Sequence, residues 1–188
     1  MRKTLFIFMS LVLVMLPGLA LSAPLITNGG FETGDITGWT QSGNLGYTGV
    51  GTSPVHSGTY AAFLGPVGSL GYLSQILTTS PGGIYDLSFW LENGGGTPNE
   101  FQVTWGGDTI IDELDLPGFT YKAVSKSGLI ATELTTELTF GFMQNPSFFY
   151  FDDVSVTAAA VPEPASMLLL GSGLIGLAGY GRKKFFKK

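Results

Sequence analysis

The chain has 188 residues, with nine basic residues, fourteen acids, one histidine and no cysteine. Without cysteine there is no disulfide, thiolate zinc site or thiol nucleophile. A lone histidine leaves no serine–histidine–acid arrangement once that residue has a structural role. Seven of the nine basic residues lie in the two ends, so residues 23–160 hold two lysines against thirteen acids, a net −11. Such a surface repels nucleic acid and anionic headgroups and suits carbohydrate, cations or simple solubility.

Along the chain, Arg2 and Lys3 precede an apolar run, Leu5 to Leu16, which Pro17 and Gly18 break before small residues. That order predicts a secretory signal peptide over 1–22, cut after Ser22, with an uncleaved anchor as the alternative. Residues 23–160 are long enough for one domain with its own core. Their pattern predicts all-β structure: short runs rich in β-branched and aromatic residues, separated by glycine clusters. Over 84–91, Tyr85, Leu87, Phe89 and Leu91 share one face, and Asp86, Ser88 and Trp90 the other. Phe101, Val103 and Trp105 alternate with Gln102 and Thr104, and Leu138, Phe140 and Phe142 with Thr139, Gly141 and Met143. Residues 94–99 read as a loop. Asp112, Glu113 and Asp115 read as a solvated acidic turn before Pro117 and Gly118, and not as a glycosidase pair. No helical periodicity or internal repeat is visible, which favours a sandwich or jelly roll.

The C-terminal 28 residues change character. Pro162, Glu163 and Pro164 form a short box; 165–181 carry no charge; Arg182, Lys183, Lys184, Lys187 and Lys188 close the chain. Seventeen uncharged residues lie at the lower limit for a transmembrane helix, and the basic end would stay in the cytoplasm. This composite over 161–188 resembles the PEP-CTERM sorting signal of Gram-negative bacteria. The resemblance implies export through the inner membrane, a membrane-held stage, and processing by an exosortase-type enzyme. It also implies a final place at the cell surface or outside the cell, linked to exopolysaccharide and biofilm. A permanent C-terminal anchor is the alternative.

A second resemblance covers most of the middle. Asn28-Gly29-Gly30-Phe31-Glu32 with Gly38-Trp39, then His56-Ser57-Gly58-Thr59-Tyr60-Ala61, Leu73-Ser74-Gln75, 83–90 and 151–156 follow one another as in galactose-binding-like carbohydrate-binding modules. The implied fold is a jelly-roll β-sandwich, with His56 in a structural turn and a structural calcium beside the first and last strands. Calcium takes six to eight oxygens, and Glu32, Asp152 and Asp153 are the carboxylates at the matching positions. Parity from Val154 and Val156 points Asp152 inward, where it needs a cation or strong donors. Backbone carbonyls near Asn28 and Ser57–Gly58 would complete the shell. The alternative is that these acids are solvated turn residues.

Sugar binding needs an aromatic platform ringed by polar groups. Trp90, on the polar face of its strand, is the leading candidate, with Glu92, Asn93 or Gln102 as helpers. Tyr47 and Tyr72, in glycine-rich stretches, would add to a cleft. Trp39 and Trp105 read as packing residues. Nothing in the sequence builds a catalytic site, and the chain reads as a non-enzyme. Two functions remain: a carbohydrate-binding surface protein, or a structural or adhesive one that binds no glycan.

Overall fold

The computed structural model describes residues 25–159 and 171–175. The signal peptide, the Pro162–Glu163–Pro164 box, the basic end and most of the 165–181 stretch lie outside the described residues. Residues 171–175 are helical, and among the described residues no helix is long and apolar enough to cross a membrane.

Ten strands follow in order: β1 Thr40–Gly43, β2 Thr48–Gly51, β3 Ala61–Leu64, β4 Gly71–Thr78, β5 Ile84–Asn93, β6 Asn99–Trp105, β7 Asp108–Leu114, β8 Phe119–Ile130, β9 Thr135–Gln144 and β10 Phe149–Ala158. They form two five-stranded sheets. Sheet I runs β1-β4-β9-β6-β7 and sheet II runs β2-β3-β10-β5-β8, with antiparallel neighbours throughout. The fold is a jelly-roll β-sandwich.

The alternating runs of β5, β6 and β9 turn their apolar residues inward as predicted. Tyr85, Leu87, Phe89 and Leu91 of sheet II face Phe101, Val103, Trp105, Leu138, Phe140 and Phe142 of sheet I, all buried. The centre is aromatic: Phe140 lies 4.6 Å from Phe151, 5.3 Å from Phe89 and 5.9 Å from Trp39 between ring centroids. Trp39 stacks on Phe31 at 5.8 Å, and its Nε1 donates to Asn28 O (3.1 Å). Trp105 Nε1 donates to Ile130 O (2.9 Å). Both indoles are therefore packing residues with their one donor satisfied.

The acidic segment before Pro117 differs from the sequence expectation. Asp112 and Glu113 belong to β7, paired with Gln102 and Phe101, and only Asp115 sits in the turn that follows. A strand exposed at a sheet edge loses the apolar alternation that identifies its inner neighbours, so its polar residues imitate a loop.

Candidate functional site

The outer face of sheet I carries one aromatic ring in an unusual setting. Tyr72 of β4 lies in a cross-strand row with Ser42 of β1, Gly141 of β9, Gln102 of β6 and Asp112 of β7. A Cβ at Gly141 would stand 2.9 Å from Tyr72 Cε1 and 3.2 Å from Cδ1; one at Gly43 would stand 2.8 Å from Cδ2 and 3.1 Å from Cε2. One edge of the ring thus rests over each glycine. The ring fills the space between the two glycines, and it is half-buried. Glycine is required on both sides because any side chain would lift the ring. Adjacent rows hold Thr40, Ser74, Thr139 and Thr104 on one side and Met143, Glu100 and Leu114 on the other. Among the described residues, none hydrogen-bonds the side chains of Tyr72, Gln102 or Glu100. An aromatic ring bordered by free amide, hydroxyl and carboxylate groups is what a pyranose ring requires.

A second cluster lies on the outer face of sheet II. Asp152 pairs with Trp90 and Ser155 with Ser88, so Asp153 and Val154 together oppose Phe89. This β-bulge, with Asp153 at φ 52°, resets the parity of β10. Asp152 consequently points outward beside Trp90, contrary to the inward direction expected from Val154. It is nevertheless fully buried, because the 56–57 turn covers it. Its Oδ2 accepts from the backbone N–H of His56 (3.0 Å) and Ser57 (3.2 Å), and its Oδ1 from that of Asp153 (2.8 Å). Asp153 accepts from His56 Nδ1 (2.6 Å) and Ser57 Oγ (2.9 Å). Burial above all, with the charge of Asp153 in addition, pushes the Asp152 carboxyl above its ordinary range against the pull of those amides.

His56, Asp152 and Asp153 bring one ligand atom each within 4.8 Å of one another. Glu32 approaches from the opening loop: a Cβ at Gly30 would meet Asp153 Oδ1 at 3.4 Å, Glu32 Cγ at 3.7 Å and Asp152 Oδ1 at 3.8 Å. The Glu32 carboxylate itself accepts from the backbone N–H of Thr59 and Tyr60. The structure therefore brings Asp152 and Asp153 together with His56, which the sequence motif assigns only to a turn, and leaves the Glu32 carboxylate on the 59–60 backbone, outside that group. Among the described residues the His56–Asp153 contact is the only ion pair, so this acidic group has no lysine or arginine partner. Each oxygen of Asp152 and Asp153 already accepts a hydrogen bond, so a hard divalent cation here would have to share them with the 56–57 turn.

The remaining candidates separate. Trp90 lies on the outer face of sheet II, where the His56 ring stacks on it (3.6 Å between centroids, 14° between planes). Tyr121 packs edge-on against His56, and its hydroxyl donates to Pro54 O. One face of Trp90 is therefore roofed rather than bare. Glu92 shares that face, opposite Tyr150. Tyr47, 71% exposed, lines a hollow with Gly65, Val67 and Phe148. Asn93 is buried and ties down the 116–117 loop, while Gln102 stands beside Tyr72 and not near Trp90. Of the three aromatics expected at a sugar site, Trp90, Tyr47 and Tyr72, only Tyr72 belongs to sheet I.

Residues 160–183 match the PEP-CTERM protein-sorting motif. The chain carries a sorting signal. This motif marks it for export and C-terminal, membrane-anchored sorting. No curated protein sequence matches the chain. Among solved structures, the sandwich is similar to TmCBM61 in complex with β-1,4-galactotriose (TM-score 0.60, 21% identity, 73% of this chain and 100% of that one). It is similar to the CBM22-1 xylan-binding domain of Paenibacillus barcinonensis Xyn10C (TM-score 0.54, 15% identity, 75% and 97%). It also resembles part of the enzymatically active domain of bacteriophage CBA120 tailspike protein 4 (TM-score 0.57, 16% identity, 72% and 21%). At these identities the likeness speaks for the fold.

Proposed function

We propose that this chain is an exported, non-catalytic surface protein whose sandwich binds polysaccharide through the Tyr72 face of sheet I. The observation that carries the reading is the ring of Tyr72, seated between Gly43 and Gly141 with unpartnered polar side chains around it. Fold likeness to modules that bind galactotriose and xylan supports it without naming the glycan. Residues 1–22 would direct export across the inner membrane of a Gram-negative cell. An exosortase-type enzyme would read the Pro162–Glu163–Pro164 box, leaving the domain over 23–160 on surface or extracellular material, with exopolysaccharide or biofilm matrix as the partner.

Asp152 and Asp153, with Glu32 across Gly30 and His56 beside them, would hold a structural calcium. When bound, the ion would neutralise the carboxylates and fasten the opening loop and the 56–60 turn to β10. It stands on the sheet opposite Tyr72, so its part is stability and not sugar contact.

The test is binding of the full chain, in a neutral detergent, to immobilised polysaccharides, beside Tyr72→Ala. Retention on at least one glycan that falls about fivefold or more in the variant supports the reading. A folded protein that binds no glycan would leave a structural or adhesive role in its place.

A further inference from the structure

The charges around the Tyr72 platform are of one sign. Glu100 stands one row from the Tyr72–Gln102 row, and Glu137 lies two rows away on the other side, between Ile76 of β4 and Gly106, whose N–H donates to the Glu137 carbonyl at the end of β6. Asp112 closes the row itself at β7. By strand geometry the patch from β4 to β6 measures about 10 Å, and successive rows are about 7 Å apart, so two or three sugar units lie within reach of Glu100. No lysine or arginine stands on this face among the described residues. The two lysines of the domain, Lys122 and Lys126, belong to β8 of the other sheet, where they line the groove between β7 and β8. Asp112 also borders that groove and is partly offset by them. Glu100 and Glu137 have no such neighbours, and among the described residues neither carboxylate accepts a side-chain hydrogen bond.

Resting on the glycan-binding reading above, we propose that this face selects a polysaccharide bearing free amino groups, such as a partly de-N-acetylated hexosamine polymer. The apolar face of a hexosamine stacks on Tyr72 as any pyranose does. Ammonium groups on successive units gain from Glu100 on one side of the ring and Glu137 on the other, whereas the carboxylates of a uronate polymer meet like charge at both. The gain is that of exposed ion pairs, about two- to fivefold for each carboxylate, and is screened by salt.

The experiment compares four immobilised polymers: de-N-acetylated polyglucosamine, its N-acetylated form, a neutral xylan and polygalacturonate. Full chain in neutral detergent is applied at about 20 mM and 500 mM salt, with Tyr72→Ala, Glu100→Gln, Glu137→Gln and, as a charge control on the other sheet, Asp86→Asn. The expected order is amino polymer over N-acetylated polymer by about fivefold or more at low salt, shrinking at high salt, with no retention on polygalacturonate. Glu100→Gln and Glu137→Gln each bring the first two closer together about two- to fivefold, Asp86→Asn leaves the ratio alone, and Tyr72→Ala weakens both. Three results overturn the assignment: an amino preference that Asp86→Asn lowers as much as Glu100→Gln does, which is general charge attraction; binding of polygalacturonate as tight as the amino polymer; or Tyr72-dependent binding of neutral glycans with no amino preference. The last leaves the glycan-binding reading standing. Indifference of every polymer to Tyr72→Ala removes that reading as well.

Discussion

The seat of Tyr72 is tested most sharply by filling it. Gly141→Val leaves the phenol in the protein but puts a branched side chain where a Cβ alone would stand 2.9 Å from Cε1 and 3.5 Å from the Cβ of Gln102. The ring cannot slide toward β1, because its other edge already lies over Gly43. It must leave its seat between the two strands and change the face it offers. A pyranose on that face covers roughly 40–60 Å² of apolar surface, worth about 1–1.5 kcal/mol, so displacing the ring should weaken glycan binding about five- to twelvefold. Stability should hardly change. Valine suits a strand better than glycine by up to ~1 kcal/mol, which offsets the partial loss of packing by a half-buried ring. Calorimetric titration with a glycan the wild type binds, beside a thermal melt, measures both. Unchanged affinity in Gly141→Val, together with loss in Tyr72→Ala, would show that the seat between the glycines is irrelevant to binding.

Asp152→Ala leaves three backbone amides in a covered position without their acceptor, and should cost about 2–4 kcal/mol in denaturant unfolding, allowing for the relief of removing a buried charge. Chelator should lower the melting temperature of the wild type and leave that of Asp152→Ala unmoved; equal response of the two would dismiss calcium from this cluster. Phe140→Ala removes the ring that meets Trp39, Phe89, Phe101 and Phe151, and should cost about 3–5 kcal/mol by the same unfolding measurement. Burial, reinforced by Asp152, Glu92 and Asp153, raises the Tyr121 phenol well above its ordinary value. A folded-state pKa above the unfolded one means that this residue's contribution to stability is lost as pH rises past the ordinary tyrosine range. At about pH 11 folded Tyr121→Phe should therefore match the phenolate absorbance of folded wild type, and fall one tyrosine short of it only in denaturant.

The sandwich was legible because its inner strands are two-sided: in β5, β6 and β9 every second residue enters an aromatic core, and the alternation survives in the sequence. The exposed edge strand β7 and the bulge of β10 were not legible, for different reasons. An edge strand needs no apolar face, so Asp112 and Glu113 carried no sign of pairing. The bulge at Asp153 inserts a residue without altering composition, so counting back from Val154 gave Asp152 the wrong direction. Motif order brought the Asp152–Asp153 pair near the 56–57 turn but could not place the Glu32 carboxylate, which the 59–60 backbone holds, and it could not find the platform. Alternation places Trp90 on an outer face but says nothing of the His56 turn that covers it. The merit of Tyr72 depends on Gly43 and Gly141 from two flanking strands, a relation visible only once register is known.

The strand that leads toward the sorting motif is β10, and it occupies the middle of sheet II, hydrogen-bonded to β3 on one side and β5 on the other. Leu25, the first described residue, adds its N–H to Val156 O on the same strand. Tension applied from the C-terminal end along β10 must shear both ladders together and draw Phe149, Phe151, Val154 and Val156 out of the core. It cannot peel a single edge open one bond at a time. A domain tethered by that end and pulled by whatever its opposite sheet holds would take the load on its best-secured strand.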